Sequence, residues 1–284
     1  MKKLLPAFVA APLFALQTET IHSSLLTYFE TKTYTNSLQK IDARVYGIGG
    51  DVHYKGNEYK LIYEYGQANT KQPPLTKDLK NQKLFLRYAH TFKNRVSLHC
   101  NYLSILDDNI AITSGGRGYG AGMGYSYAKN ITFDLTQYSV EYDDFKTYQS
   151  DFRFDIKKKI KAIKFQFSSI NKYISLQDIH PNSFTKNAQS TYFTSGVKLH
   201  AHYNSYHFGM GAYFGKRAFA IMNDGFKIQH HAMEFHKTYA LGVGKKFTNT
   251  VFRVQYIYNE ATELPLNNPN VEINNIRFIL NYKL

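Results

Sequence analysis

The segment Phe252-Arg253-Val254-Gln255-Tyr256-Ile257-Tyr258 places an apolar or aromatic side chain at every even position. Arg253, Gln255 and Ile257 stand between them. Successive side chains of a strand leave on opposite faces, so a period of two describes a strand with one greasy and one largely wet side. The same alternation sets Tyr59, Leu61, Tyr63 and Tyr65 against Lys60, Ile62 and Glu64, and Phe152, Phe154 and Ile156 against Asp151, Arg153 and Asp155. After residue 22 a helical period of 3.6 is almost never seen, so the chain is expected to be all-β.

Composition supports this reading. The 284 residues include 24 Tyr and 21 Phe but no Trp, an aromatic content that suits strands and membrane interfaces. With 43% hydrophobic and 20% charged residues the chain should fold. A mean hydropathy of −0.41 excludes membrane-spanning helices. It does not exclude membrane-spanning strands, because alternation halves the apolar content of each. One cysteine rules out a disulfide framework. The net charge of +14 would suit nucleic acid, but the basic residues are scattered along turns and strand faces rather than gathered in a patch, so no nucleic-acid partner is expected.

Lys2 and Lys3 precede an apolar run from Leu4 to Leu16 with small residues at Ala10, Ala11 and Ala15. This pattern predicts a secretory signal peptide over residues 1–16, cleaved near Ala15 to Gln17. The run is too short to span a bilayer, and Pro6 and Pro12 would interrupt a buried helix. No linker or low-complexity segment breaks the remainder, so residues 17–284 are expected to form a single exported domain.

Strands are expected at about 23–34, 43–54, 58–66, 83–92, 95–104, 118–128, 131–142, 148–156, 161–170, 191–203, 206–217, 234–247, 250–259 and 272–284. Short turns at 55–57, 93–94, 129–130, 157–161, 204–205 and 248–249 take turns with longer polar loops at 35–41, 67–82, 105–117, 143–147, 171–190, 218–233 and 260–270. Six turns and seven loops join fourteen strands, or twelve if the first pair, whose phase is unclear, stays outside the membrane. A change of face between Leu135 and Tyr138 predicts a β-bulge in the seventh strand. Short turns at one end and long loops at the other are the layout of a transmembrane antiparallel up-and-down β-barrel of the outer membrane, with both chain ends in the periplasm. Closure satisfies every backbone hydrogen-bonding group inside lipid. A cylinder of this width should hold an aqueous passage unless a loop folds in, and the loop from Leu106 to Arg117 is the candidate to do so.

The final strand, Ile276-Arg277-Phe278-Ile279-Leu280-Asn281-Tyr282-Lys283-Leu284, carries Ile276, Phe278, Leu280, Tyr282 and Leu284 on one face. It resembles the C-terminal β-signal of outer-membrane proteins, with Leu284 where Phe is usual. Together with the turn pattern and the signal peptide, it makes the mature chain resemble the outer-membrane porins of Gram-negative bacteria, most closely the small monomeric fourteen-stranded ones. The resemblance implies an integral outer-membrane channel for passive diffusion of small hydrophilic solutes. It also implies surrounding lipopolysaccharide and phospholipid, insertion by the barrel assembly machinery, and no cofactor. Tyr54, Tyr59, Phe92, Tyr127, Tyr203, Tyr206 and Phe247 flank the short turns, as an interfacial girdle requires. Turn-side lysines such as Lys55, Lys93, Lys129 and Lys157 would meet anionic phospholipid heads.

With the apolar face toward lipid, the inward face carries Lys60, Arg87, Arg95, Arg153, Lys164, Lys198, Lys246, Arg253, Arg277 and Lys283. Against these ten stand Asp51, Glu58, Glu64, Asp134, Asp151 and Asp155. A surplus of positive charge predicts a modest anion preference, unless the charges pair across strands and leave a weakly selective pore. A two-residue hairpin at Asn204-Ser205 would bring His202 against His207, with His200 diagonally away and His236 on the next strand, a group able to titrate or to bind a transition metal. Gly116-Arg117-Gly118-Tyr119-Gly120-Ala121 formally matches a dinucleotide fingerprint, but no helix follows. The alternating glycines to Gly124 instead predict a bare inward strip with room for a loop or solute. A barrel lipase or protease would need a nucleophile and base, and neither G-x-S-x-G nor H-E-x-x-H is present, so no catalytic residue is expected. A structural or adhesive barrel is the other alternative, for which loops of at most about 20 residues are short.

Overall fold

The first strand, β1 (His22–Thr35), pairs antiparallel with the last, β16 (Asn268–Lys283), from Ser24 opposite Lys283 to Thr35 opposite Glu272, and this pairing closes the sheet. The computed structural model describes residues 21–73, 75–107, 113–179, 185 and 187–284. The expected signal peptide, the middle of the 106–117 loop and part of the 171–190 loop lie outside the described residues. Between the closing strands run β2 (Lys40–Tyr54), β3 (Asn57–Thr70), β4 (Leu79–Thr91), β5 (Val96–Asp107), β6 (Arg117–Ala128), β7 (Ile131–Glu141), β8 (Lys146–Ile160), β9 (Ile163–Gln177), β10 (Thr191–Tyr203), β11 (Tyr206–Arg217), β14 (Met233–Lys246) and β15 (Thr250–Glu263). Each pairs with its neighbour in this order, giving a closed barrel of fourteen strands that includes the first pair. The short strands β12 (Ile221–Met222) and β13 (Lys227–Ile228) form a separate ribbon, so β11 pairs directly with β14.

Wall strands run from 11 to 16 residues, against roughly 9 to 11 needed to cross a bilayer. They therefore continue into segments that the polarity of the sequence marks as loop, and the long connections are shorter than expected. β8 likewise carries Lys157, Lys158 and Lys159 within the strand and turns only at Lys161-Ala162. The expected bulge in β7 is absent: its register to β8 runs unbroken from Ile131–Ile156 to Glu141–Lys146. Asp134, Thr136, Tyr138 and Val140 all alternate inward. The apparent change of face arises because Tyr138 and Val140 are apolar residues on the lumen side.

The outward face carries large apolar side chains that no other part of the chain covers, among them Tyr59 at 53% and Leu241 at 58% exposure. This belt is what a lipid-facing barrel wall requires. Six of the seven expected girdle aromatics are exposed beside the short turns, Tyr54 being half-buried. Lys245 stands over both Tyr206 and Phe247, its ammonium 5.5 and 5.6 Å from their ring centres.

The apolar core sits inside the barrel. Phe85, Leu103, Ile105, Tyr138, Val140, Ile170 and Ile174 point inward from the wall and bury Ala218, Phe219, Ala220 and Ile221 of the connection between β11 and β14. Phe219 meets Phe145 edge-on at 4.7 Å, and Tyr142 stacks on Phe145 at 4.5 Å. Gln149 of β8 clamps the segment: its Nε2 donates to the Ile221 carbonyl at 2.7 Å and its Oε1 accepts from the Ile221 N–H at 2.8 Å. Among the described residues, the segment that occupies the lumen is therefore 218–232; the middle of the 106–117 loop, the expected candidate, lies outside them. The glycine strip of β6 also has another use. A Cβ on Gly120 would lie 2.5 Å from the Tyr138 ring and one on Gly122 2.2 Å from His99, so the strip admits side chains lying flat from β5 and β7.

Candidate functional site

The tip of the inserted segment, Asn223-Asp224-Gly225, has three consecutive positive φ angles of 52°, 57° and 96°. Such a tight reversal lets the backbone press against the opposite wall, where a Cβ on Gly225 would come within 2.9 Å of Asn101 Oδ1. Arg87 of β4 donates from Nη1 to the Asp224 carbonyl at 3.2 Å. Arg153 of β8 donates from Nη1 to Asp224 Oδ2 at 2.7 Å, while its Nε lies 2.8 Å from Asp155. The Lys60 ammonium rests 4.4 Å from the Phe226 ring. Enclosure within the barrel disfavours the Asp224 charge even though the side chain meets lumen water, but Arg153, Lys198 and Arg87 outweigh it and hold the carboxyl down at about 2.

Beyond the tip, Lys227 lies 3.8 Å from Glu30 of β1. Glu30 is only 1% exposed and also receives Arg277 Nε at 2.7 Å and Lys32 at 3.6 Å. Glu64 pairs with Lys83 and accepts from Tyr28 Oη at 2.7 Å. The inserted segment thus bridges the lumen from β11 to the β4–β8 wall and back toward β1. Beside it a cavity of about 410 Å³ runs along the wall of β1–β4, β10, β11 and β14–β16, from Lys40 and Met233 near the long-loop end to His200 and Gly209 near the short-turn end.

The expected lumen residues take different places. Lys60, Arg87 and Arg153 meet the loop tip, and Lys198, Arg253 and Arg277 line lumen cavities. Lys164, Lys246 and Lys283 share the inward phase of their strands near the short-turn end, as does Glu58. Arg95 is a correction: it lies in the exposed turn after β4 with φ 70°, donating to the Tyr127 carbonyl at 3.3 Å. Asp51 accepts from Ser24, Asp134 faces His99 at 3.6 Å, Asp151 pairs with Lys172, and Asp155 accepts from Ser168. Ile276, Phe278, Leu280, Tyr282 and Leu284 all face outward with 40% to 72% exposure.

The histidine group is smaller than expected. His202 pairs with His207 across the hairpin, their rings edge-to-face at 4.4 Å, and His200 lies two residues along the same face. His236 is a correction. It sits near the other end of β14, hydrogen-bonded to Thr262 Oγ1 at 2.8 Å, eight residues from the Gly244 that opposes His207, or about 27 Å at the strand rise. Among the described residues no three His, Cys, Asp or Glu side chains converge as a metal site.

Several lumen charges escaped the sequence reading. Lys83 is in phase with Arg87 inside the expected fourth strand, so its alternation alone would have found it; Lys172 is in phase with Lys164 but lies where β9 runs on into the expected 171–190 loop. Glu30 and Lys32 share one phase in β1 but were hidden by the ambiguity of that strand. Asp224 and Lys227 lie in a connection with no period to read.

No protein-family model matches the sequence, and neither does any curated protein. Solved structures do match in fold. A bacterial polysaccharide outer-membrane secretin aligns with a TM-score of 0.54 at 9% identity, over 92% of this chain and 98% of its own. The NanC porin aligns with a TM-score of 0.50 at 10% identity, over 91% and 100% respectively. Omp33 of Acinetobacter baumannii gives 0.49 at 7% identity, over 93% and 99%. A closed fourteen-stranded wall with a continuous apolar exterior makes this chain an integral β-barrel of the Gram-negative outer membrane, porin-like in fold.

Proposed function

We propose that the barrel is a passive channel for small hydrophilic solutes with a preference for anions, a transport rather than a catalytic role. The observation that carries this reading is the lining of the 410 Å³ cavity, where seven Lys and Arg side chains face two carboxylates, Glu30 and Glu64. Both carboxylates are already committed to cations, so the surplus acts on the water beside the inserted segment. Low-dielectric walls focus such a field and raise the local anion concentration. In the same reading residues 17–284 form the mature barrel after removal of 1–16, the last strand is read by the barrel assembly machinery, and Lys55, Lys93, Lys129 and Lys161 meet anionic phospholipid heads.

The test is a salt gradient across a planar bilayer containing the purified protein. Anion permeability should exceed cation permeability roughly threefold at about 0.1 M salt, and a reversal potential of cation-selective sign overturns the proposal. Raising the salt to about 1 M should erode the preference, because the screening length falls from about 10 Å to about 3 Å.

A further inference from the structure

Asp224 occupies an unusual position for a loop carboxylate. Its side chain is 52% exposed to the lumen, yet it lies against Arg153 and under the influence of Arg87 and Lys198, cations delivered by three separate wall strands. The other charged groups around the tip are Lys60, Arg253 and two carboxylates: Asp155 beside Arg153, and Asp151, which feels the Asp224 charge and is paired with Lys172. Asp155 holds the Nε side of Arg153 and accepts from Ser168, which leaves the Nη1 side to Asp224. Among the described contacts Arg153 holds the Asp224 carboxylate directly, Arg87 holds its main-chain carbonyl, and Lys198 feels Asp224 ahead of Asp155. Arg253 Nε and the Asn101 side-chain amide are already buried with no hydrogen-bond partner among the described residues.

The tip also differs in kind from its anchor. Phe219 and Ile221 are wholly buried and doubly clamped, so the segment as a whole stays in place. The tip is half-open to water, and two non-glycine residues, Asn223 and Asp224, hold left-handed backbone there. Such backbone persists only while surrounding contacts enforce it. Those contacts are the hydrogen bonds to Arg87 and Arg153.

We infer that Arg87, Arg153 and Lys198 form an anion-binding site that this chain fills with its own Asp224 carboxylate, and that a solute bearing a carboxylate or phosphate group displaces Asp224 as it passes. The chemistry is an exchange of one anionic oxygen group for another on the same guanidinium, with no covalent step. It rests on the anion-channel reading and adds a location and a competitor to it. The inserted segment is then a fixed constriction with an exchangeable tip.

The experiment compares wild type, Asp224→Asn and Arg153→Gln in planar bilayers at fixed ionic strength, with inorganic phosphate in one arm and succinate in the other. The readout is the concentration that half-blocks the chloride current. A tethered competitor that fills the site about nine-tenths of the time weakens apparent affinity about tenfold, so Asp224→Asn should tighten half-block by about that factor in at least one arm. Arg153→Gln should weaken it in both arms. The arm with the larger shift names the anionic group. Unchanged or weaker half-block in Asp224→Asn, with anion-selective reversal potential retained, overturns this inference and leaves the channel reading standing. A cation-selective reversal potential instead removes the channel reading. Should Asp224→Asn fail to fold, Asn223→Cys in a Cys100→Ser background serves: its modification by a water-soluble thiol reagent should speed up with phosphate or succinate. A rate independent of both anions overturns the inference equally.

Discussion

Replacing residues 219–227 with a short Gly-Ser linker is expected to raise single-channel conductance about threefold, since a fourteen-stranded cylinder is too wide for its wall side chains to fill. In this chain the filling comes from the inserted segment, which takes the half of the lumen bounded by β4–β9. The same replacement should lower stability, because Phe85, Ile105, Val140 and Ile174 lose the apolar side chains that cover them. Burying a side chain of that size stabilises by roughly 1.5–3 kcal/mol, so losing Phe219 and Ile221 together is a substantial part of a barrel's margin. Gln149→Leu is the milder version. It leaves the Ile221 N–H and carbonyl unpaired, at about 1–3 kcal/mol each, and should show as flicker between conductance levels rather than as a new fixed level. If the linker variant conducts like wild type, the segment does not limit flow.

These effects turn on residues that the sequence presents ambiguously, which explains what could be read from it. Alternation in β3, β8, β15 and β16 is regular because the outside contacts lipid everywhere, and one solvent imposes one rule on each strand. The fourteen strands and their closure follow from that regularity. The inside does not contact one solvent. Where it meets water, as at Lys198 and Arg253, the inward residue is polar and the phase is plain. Where it meets Phe219 and Ile221, the inward residue is Tyr138, Val140 or Ile174, both faces become apolar, and the period fades. In β7 this loss of contrast imitates a bulge. An apolar inward face on consecutive strands is therefore itself the signal of an inserted segment, although it does not say which one. Residues 218–232 carry His230, His231 and Asp224 among apolar residues, and only the folded wall shows Gln149, Arg153 and Glu30 waiting for them.

Glu30→Ala is expected to cost about 3–5 kcal/mol of barrel stability, the range for breaking a buried ion pair from one side. Glu30 lies directly opposite Arg277 in the pairing of β1 with β16, so it acts at the seam where the cylinder closes. Removing it leaves Arg277, Lys32 and Lys227 converging with Glu64 as the nearby carboxylate, and Glu64 is already paired with Lys83. The reverse change is less severe, because Glu30 in Arg277→Ala keeps Lys32 and Lys227. The order Glu30→Ala worse than Arg277→Ala is thus a sharper expectation than either magnitude, and the double variant should lose less than the sum. Urea unfolding in lipid vesicles, followed by the mobility difference between folded and unfolded chain, measures all three. A loss below about 0.5 kcal/mol for Glu30→Ala would mean that lumen water screens the cluster as it screens a surface pair. Lys227 carries the consequence inward. It belongs to the inserted segment, so the carboxylate that closes the seam also holds the far side of the constriction, and Glu30→Ala should loosen the channel's conductance level in the same protein whose barrel it destabilises.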